Sequence, residues 1–194
     1  TAFLLTFFLL VAKGGAAKEK PPNMVVVLVD DHAFEAISAY GTYLKDFAKT
    51  PTIDRLGKEG MRFDHFTCAN SICSPSRASI LTGQYSHKNG VKGLNGAINE
   101  DSPQYPVELQ KAGYQTWLVG KWHLSGQPTD FGFDRYWGHL SGATNFFTGD
   151  ASFRLNGQPW QVPKTLGGRP FYTTHAIGDF ALRFLDEATD SKKP

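Results

Sequence analysis

The chain has 194 residues, 41% hydrophobic and 20% charged, with 20 Lys and Arg against 18 Asp and Glu and a formal net charge of +2. This is the length of one domain or of part of a larger one, and the composition is that of a folded chain. The near-balance of charge gives no reason to expect nucleic acid or an anionic membrane as partner, and 2 cysteines exclude a disulfide-stapled mini-fold and a four-cysteine zinc site.

Residues 2–12, AFLLTFFLLVA, form an apolar run that falls short of the roughly 20 residues needed to span a bilayer. Gly15, Ala16 and Ala17 follow it as small cleavage-site residues. The run reads as the core of an export leader over residues 1–17 that lacks its basic start, with a buried helix as the alternative. Residues 18–22 read as a polar linker, and residues 23–194 as the front part of a larger α/β catalytic domain. The expectation is an exported protein, periplasmic, secreted or lysosomal-type by host, with no stable membrane insertion once the leader is removed.

Residues 24–29, MVVVLV, are continuous and rich in β-branched side chains, which predicts a strand buried on both faces of a parallel sheet. Asp30 and Asp31 end it. Pro51 opens a short helix over 52–59 that stops at Gly60. Residues 61–68 read as a second strand, and 75–82 as a helix closed by Gly83. Residues 84–104 read as a long loop, 106–112 as a helix stopped by Gly113, and 114–119 as a third strand. The tract 125–172, with Gly, Pro and aromatics throughout, reads as loop. Ile177, Ala181, Phe184 and Leu185 recur at helical spacing over 173–188. Alternating helices and strands argue for a largely parallel α/β sheet.

Ligands in such sheets lie beyond the carboxyl ends of the strands. Asp30-Asp31, Cys73–Arg77 and Lys121-Trp122-His123 all fall there. Two adjacent carboxylates repel unless a cation joins them, and a hard divalent ion with oxygen ligands is the simplest solution, although such pairs are commonly solvated turns. His32 beside them reads as an ordinary loop histidine. Cys73 precedes a helix start, where free N–H groups favour an anion, and Arg77 lies one turn further on. Cys73 is either a thiolate nucleophile or a structural thiol, with Cys68 as a possible disulfide partner. Lys121 and His123 flank Trp122, so an extended chain turns both to one face. There they supply a fixed charge and a proton acceptor, or simply a solvated strand end.

The stretch Cys73-Ser74-Pro75-Ser76-Arg77-Ala78-Ser79-Ile80-Leu81-Thr82-Gly83 resembles the first signature of the type I sulfatases. Residues 113–124, GYQTWLVGKWHL, resemble their second signature. Asp30-Asp31 and residues 50–56, TPTIDRL, also match, and 138–150 with 171–174 are most similar to the arylsulfatase branch. The resemblance implies an alkaline-phosphatase-like α/β/α sandwich, incomplete in this chain. It implies that Cys73 is oxidised to formylglycine by a formylglycine-generating enzyme, and that the aldehyde hydrate attacks sulfur. Asp30, Asp31 and residue 73 are then Ca2+ ligands. Arg77 and Lys121 hold the formylglycine oxygens and the sulfate charge, Lys121 and His123 bind substrate, and His123 takes the proton that lets sulfate leave. The substrate is a sulfated small molecule or a sulfated glycan.

The family's later metal ligands, and its later His and Lys, have no matching motif here; His175 lies too early for that role. The expectation is that residues 1–194 alone do not turn over. Trp117 stands where the family often has a smaller residue. A phosphate-ester hydrolase of the same fold would place Ser or Thr at position 73, and a non-catalytic binding module would have no need to keep Asp30, Asp31, Cys73, Arg77, Lys121 and His123 together.

Overall fold

The computed structural model describes residues 21–188 and residue 194; the leader expected over 1–17 lies outside them. Two 3-10 turns, Phe34–Ala36 and Ser38–Tyr40, precede helices α1 (Pro51–Glu59), α2 (Cys73–Thr82), α3 (Ser86–Asn89) and α4 (Tyr105–Lys111). Strand β1 (Trp117–Val119), a 3-10 turn (Pro128–Phe131) and strands β2 (Arg135–His139), β3 (Phe153–Leu155) and β4 (Gln158–Pro159) follow. A small hairpin, β5 (Thr165–Leu166) and β6 (Arg169–Pro170), leads to helix α5 (Thr173–Ala188).

Helix boundaries follow local chemistry. Pro51 and Pro106 occupy first turns, where a missing N–H leaves no helical bond unmade. Gly83 closes α2 in the left-handed region at a φ of 65°.

The sheet runs β1-β2-β3-β4. The β1–β2 pair is parallel, and the β2–β3 and β3–β4 pairs are antiparallel. Period-two alternation along β2 makes it the centre of the molecule. Tyr136 turns to one face and packs in a cluster with Leu81 of α2, Trp122 and Phe133. Trp137 turns to the other, in a cluster with Phe153, Phe171, Ala176, Phe180 and Phe184, and its ring stacks on Phe180 of α5 at 4.2 Å. Helices thus cover both faces of the sheet, an α/β/α arrangement whose two buried clusters are rich in aromatic side chains.

Three expectations need correction. Residues 24–29 are extended but pair with no strand among the described residues, and Val25, Val26 and Val27 are 75–81% exposed. A β-branched run has the side chains of a central strand, but only flanking strands can satisfy its backbone. Residues 61–68 are not a strand. They turn at Asp64-His65, where Arg62 bonds Asp64 and the carbonyl of Ala39, which draws the segment toward the second 3-10 turn. The tract 125–172, read as loop, holds β2 to β6. Its turn residues drew attention away from Tyr136 and Trp137, aromatics that favour a pleated, buried surface. In consequence, the sheet among the described residues is mixed, with one parallel pair, where a largely parallel one was expected.

Gly138 marks the closest approach of β1 and β2. A Cβ there would lie 1.9 Å from the carbonyl oxygen of Gly120, and its φ is 153°. Gly138→Ala should therefore destabilise the fold by about 3 kcal/mol or more, because backbone must move to admit the methyl group. Denaturant unfolding of the intact protein measures this; a loss under about 0.5 kcal/mol, the range of a neutral surface change, would contradict it.

Candidate active site

The site forms where β1 ends and α2 begins. Beyond Val119 the backbone keeps pairing with the extension of β2. Trp122 N–H donates to the carbonyl of His139 at 3.0 Å, and His123 N–H donates to that of Leu140 at 3.2 Å. The buried Trp122 indole joins the Tyr136 cluster and holds this segment in place.

Arg77 fastens α2 to the segment. One guanidinium nitrogen donates to the Lys121 carbonyl at 2.8 Å, and another lies 3.5 Å from Asp30 Oδ2. Lys121 Nζ reaches the same Asp30 oxygen at 2.5 Å. The Arg77 and Lys121 side chains are only 16% and 15% exposed, so their charge acts in a partly desolvated setting. The hydrogen bond from Lys121, with its charge and that of Arg77, holds the Asp30 carboxyl below its usual range against the opposing effect of burial.

His123 sits in the left-handed region, φ 55°, which is rare outside glycine. Its Nδ1 is buried without a hydrogen-bond partner among the described residues. Its ring lies against Gly142, where an added Cβ would stand 2.4 Å from Nε2 and Cε1. Burial, then the positive charges of Lys121 and Arg77, push the imidazole below the ordinary histidine range, with Asp30 opposing. The ring is therefore a neutral proton acceptor at neutral pH.

Cys73 is the first residue of α2, one turn before Arg77, with its thiol free and half-buried. Cys68 is free and exposed, so the two are not joined. Ser74 and Pro75 are buried behind Cys73 and fix the helix start, with Ser74 donating to the carbonyl of Leu94. Asp31 is exposed, also in the left-handed region at φ 53°, and no ion pair or hydrogen bond engages it among the described residues. The structure brings Asp30, Arg77 and Lys121 into contact and sets His123 within their electrostatic reach. His32 bonds the carbonyl of Ala36, a local loop contact.

Reading the sequence compared 138–150 with the arylsulfatase branch only as a stretch and gave no role to His139, at the end of β2, or to Ser141, Gly142, Asp150 and Ser152 in the segment that follows. The aromatic pair Tyr136-Trp137 was the signal that a strand delivers them there.

A donor set of two neighbouring carboxylates suits a hard cation such as Ca2+ in part. Among the described residues no third carboxylate, His or Cys gathers with them, and one oxygen of Asp30 is already taken by Lys121 and Arg77.

An α/β/α scaffold that sets two shielded cations, a carboxylate and a neutral histidine at a strand end has the charge to receive an anionic group. The chain belongs to the sulfatase family, whose profile, described as Sulfatase, matches residues 22–194. It is 41% identical over 168 residues to an N-acetylglucosamine-6-O-sulfatase of Bacteroides thetaiotaomicron, covering 87% of this chain and 28% of that protein. It is 35% identical over 130 residues to the N-acetylgalactosamine-6-sulfatase of Homo sapiens, covering 58% of this chain and 24% of the relative. A solved structure described in complex with its substrate, D-glucosamine-2-N,6-O-disulfate, superposes with a TM-score of 0.68 at 39% identity over 81% of this chain and 29% of that one. Such neighbours share the expected alkaline-phosphatase-like fold. The chain spans less than a third of the length of these curated relatives.

Proposed function

We propose that this chain carries the nucleophile half of the active site of an exported sulfatase that hydrolyses a sulfate ester on a glycan sugar. The observation that carries the reading is the convergence of Arg77 and Lys121 on Asp30, beside the start of the helix that begins with Cys73. The glycan reading is supported by a relative named for a sulfated amino sugar and by a similar structure in complex with one. The remaining site residues, and hence turnover, belong to a longer protein; residues 1–194 alone are inactive on this reading. Residues 1–17 serve as the leader.

Formylglycine formed from Cys73 would supply an attacking oxygen, and Ca2+, for which Asp30, Asp31 and residue 73 would be this chain's ligands, would supply positive charge toward the sulfate. The chain's own residues prepare the rest. The positive end of the α2 helix dipole favours negative charge near residue 73. Arg77 ties the end of β1 to that helix, so the Lys121 ammonium is held in place before substrate arrives. Lys121 and Arg77 then meet the sulfate with little reorganisation. His123, neutral and with Nδ1 unpartnered among the described residues, would accept a proton from a hydroxyl on residue 73.

The state of His123 sets the acid limb of activity. Because its pKa is lowered, the base form persists below the ordinary histidine range, and kcat should fall only as the pH drops through that lowered value. His123→Gln should cost about 10²-fold or more in kcat and remove this limb. A limb retained at the same pH in the variant would assign it to another group.

The function is tested by assaying the intact protein with an aryl sulfate and with a 6-O-sulfated amino sugar. Release of sulfate that stops on chelation and returns with Ca2+ is the expected result. Hydrolysis of phosphate esters in preference to sulfate esters, or full activity in metal-free buffer, would overturn it.

A further inference from the structure

We propose that His139, Ser141, Asp150 and Ser152 form a positioning network for His123, acting through the backbone of Ser141 and Gly142. The inference rests on His123 being the proton acceptor of the proposed reaction, and it assigns a role to residues outside the sequence signatures.

His123 needs such support. It holds a left-handed backbone, a conformation that a non-glycine residue keeps only where its surroundings over-determine it. Its N–H is tied to the Leu140 carbonyl, and its ring rests on Gly142. Both contacts belong to the turn that leaves β2, so the turn's position sets the position of the ring.

The network fixes that turn from behind. His139 is buried, and its Nδ1 lies 2.9 Å from the Ser141 carbonyl. A carbonyl only accepts, so Nδ1 carries the proton and donates. The Ser152 hydroxyl has one proton to give, to Asp150 Oδ1 or to Ser141 Oγ at 2.9 Å, and the Ser141 hydroxyl donates to Asp150 Oδ2 at 3.3 Å. Ser152 N–H also donates to Asp150 Oδ1 at 2.7 Å, and Leu140 N–H donates to the Ser152 carbonyl at 3.2 Å. The imidazole of His139 packs on Phe153 of β3, with ring centroids 5.5 Å apart. The turn is thus held by its carbonyl to His139 at the end of β2, and by the Ser141 side chain and the Leu140 N–H to Asp150 and Ser152, the residues that lead into β3. Position 142 must lack a side chain, since a methyl there would occupy the space of the His123 ring.

The test uses the intact protein with histidine labelled for NMR, the His123 ring signal being identified by its loss in His123→Gln. Ser152→Ala removes the hydroxyl that contacts both Ser141 and Asp150, leaving only the longer direct bond between those two. It should shift the His123 ring signal and lower kcat about tenfold on an aryl sulfate, with KM changed less than about twofold, because a misplaced proton acceptor slows the chemical step. Ser152→Thr keeps the hydroxyl and should restore both. Gly142→Ala should displace the ring directly and cost about 10²-fold in kcat. If Ser152→Ala does not fold, Gly142→Ala and Ser141→Ala carry the same test. An unchanged ring signal and kcat in variants that fold would overturn the proposal. If the parent hydrolyses no sulfate ester, the functional reading fails while the ring signal alone still decides the positioning role.

Discussion

Cys73→Ala in the intact protein should reduce sulfate release to background, a loss of at least about 10⁴-fold, comparable with deletion of a nucleophile in other covalent hydrolases. Folding should be nearly unaffected. The thiol is half-buried and bonded to neither the other cysteine nor a described neighbour, and the helix start is held by the buried Ser74 and Pro75. Alanine is also the best helix former, so α2 is not weakened at its first residue. The check is a turnover assay beside a thermal unfolding curve. Near-normal turnover by the variant would remove residue 73 from the chemistry; lost activity with lost folding would instead make it structural.

Lys121→Met should cost about 10²–10³-fold in kcat/KM, the usual loss when a preorganised charge contact is removed from a shielded site. Methionine keeps most of the length and apolar volume of the side chain, so packing changes little. What disappears is the cation nearest Asp30, and two consequences follow. The Asp30 carboxyl rises toward its ordinary value, and a sulfate loses one of the two cations that meet it. Removing that charge also lifts one of the influences that lower the His123 pKa, so the acid limb of the residual activity should move upward in pH. Steady-state kinetics over a pH series read both effects. A variant that keeps parental kcat/KM with an unmoved acid limb would show that Lys121 faces neither sulfate nor His123.

The contact of Arg77 and Lys121 with Asp30 was legible in the sequence because these residues are local to the ends of elements. Cys73, Pro75 and Arg77 announce a helix start with a cation one turn on, and Gly120-Lys121-Trp122-His123 announces the end of a strand. The helices were legible for the same reason: α1, α2 and α4 carry Pro at their starts and Gly after their ends. What remained hidden was non-local. The run 24–29 has the chemistry of a central strand, but pairing depends on partners elsewhere in the chain, and among the described residues it has none. Strand β2 is only Arg135–His139, and its identity rests on Trp137 meeting α5, 43 residues later at Phe180 in a stacked contact. The support of His123 by Gly142 was equally invisible, because a glycine in a turn-rich tract looks like any other until a ring is found lying on it.

The same geometry connects fold to chemistry. Packing of Trp137 against α5 and of Tyr136 against α2 sets the height of β2 between its two helical layers. The β2 turn then sets His123, and Arg77 sets Lys121 against the first turn of α2. Substitutions in the aromatic core should therefore affect turnover through position as well as through stability.

Mass spectrometry of the Cys73 peptide, from intact protein isolated from its own host, tests the central claim most directly. Conversion of the side chain to formylglycine, seen as loss of sulfur and appearance of an aldehyde that reacts with a hydrazide, is the predicted result. A protein that releases sulfate while residue 73 remains wholly an unmodified cysteine thiol would contradict the account.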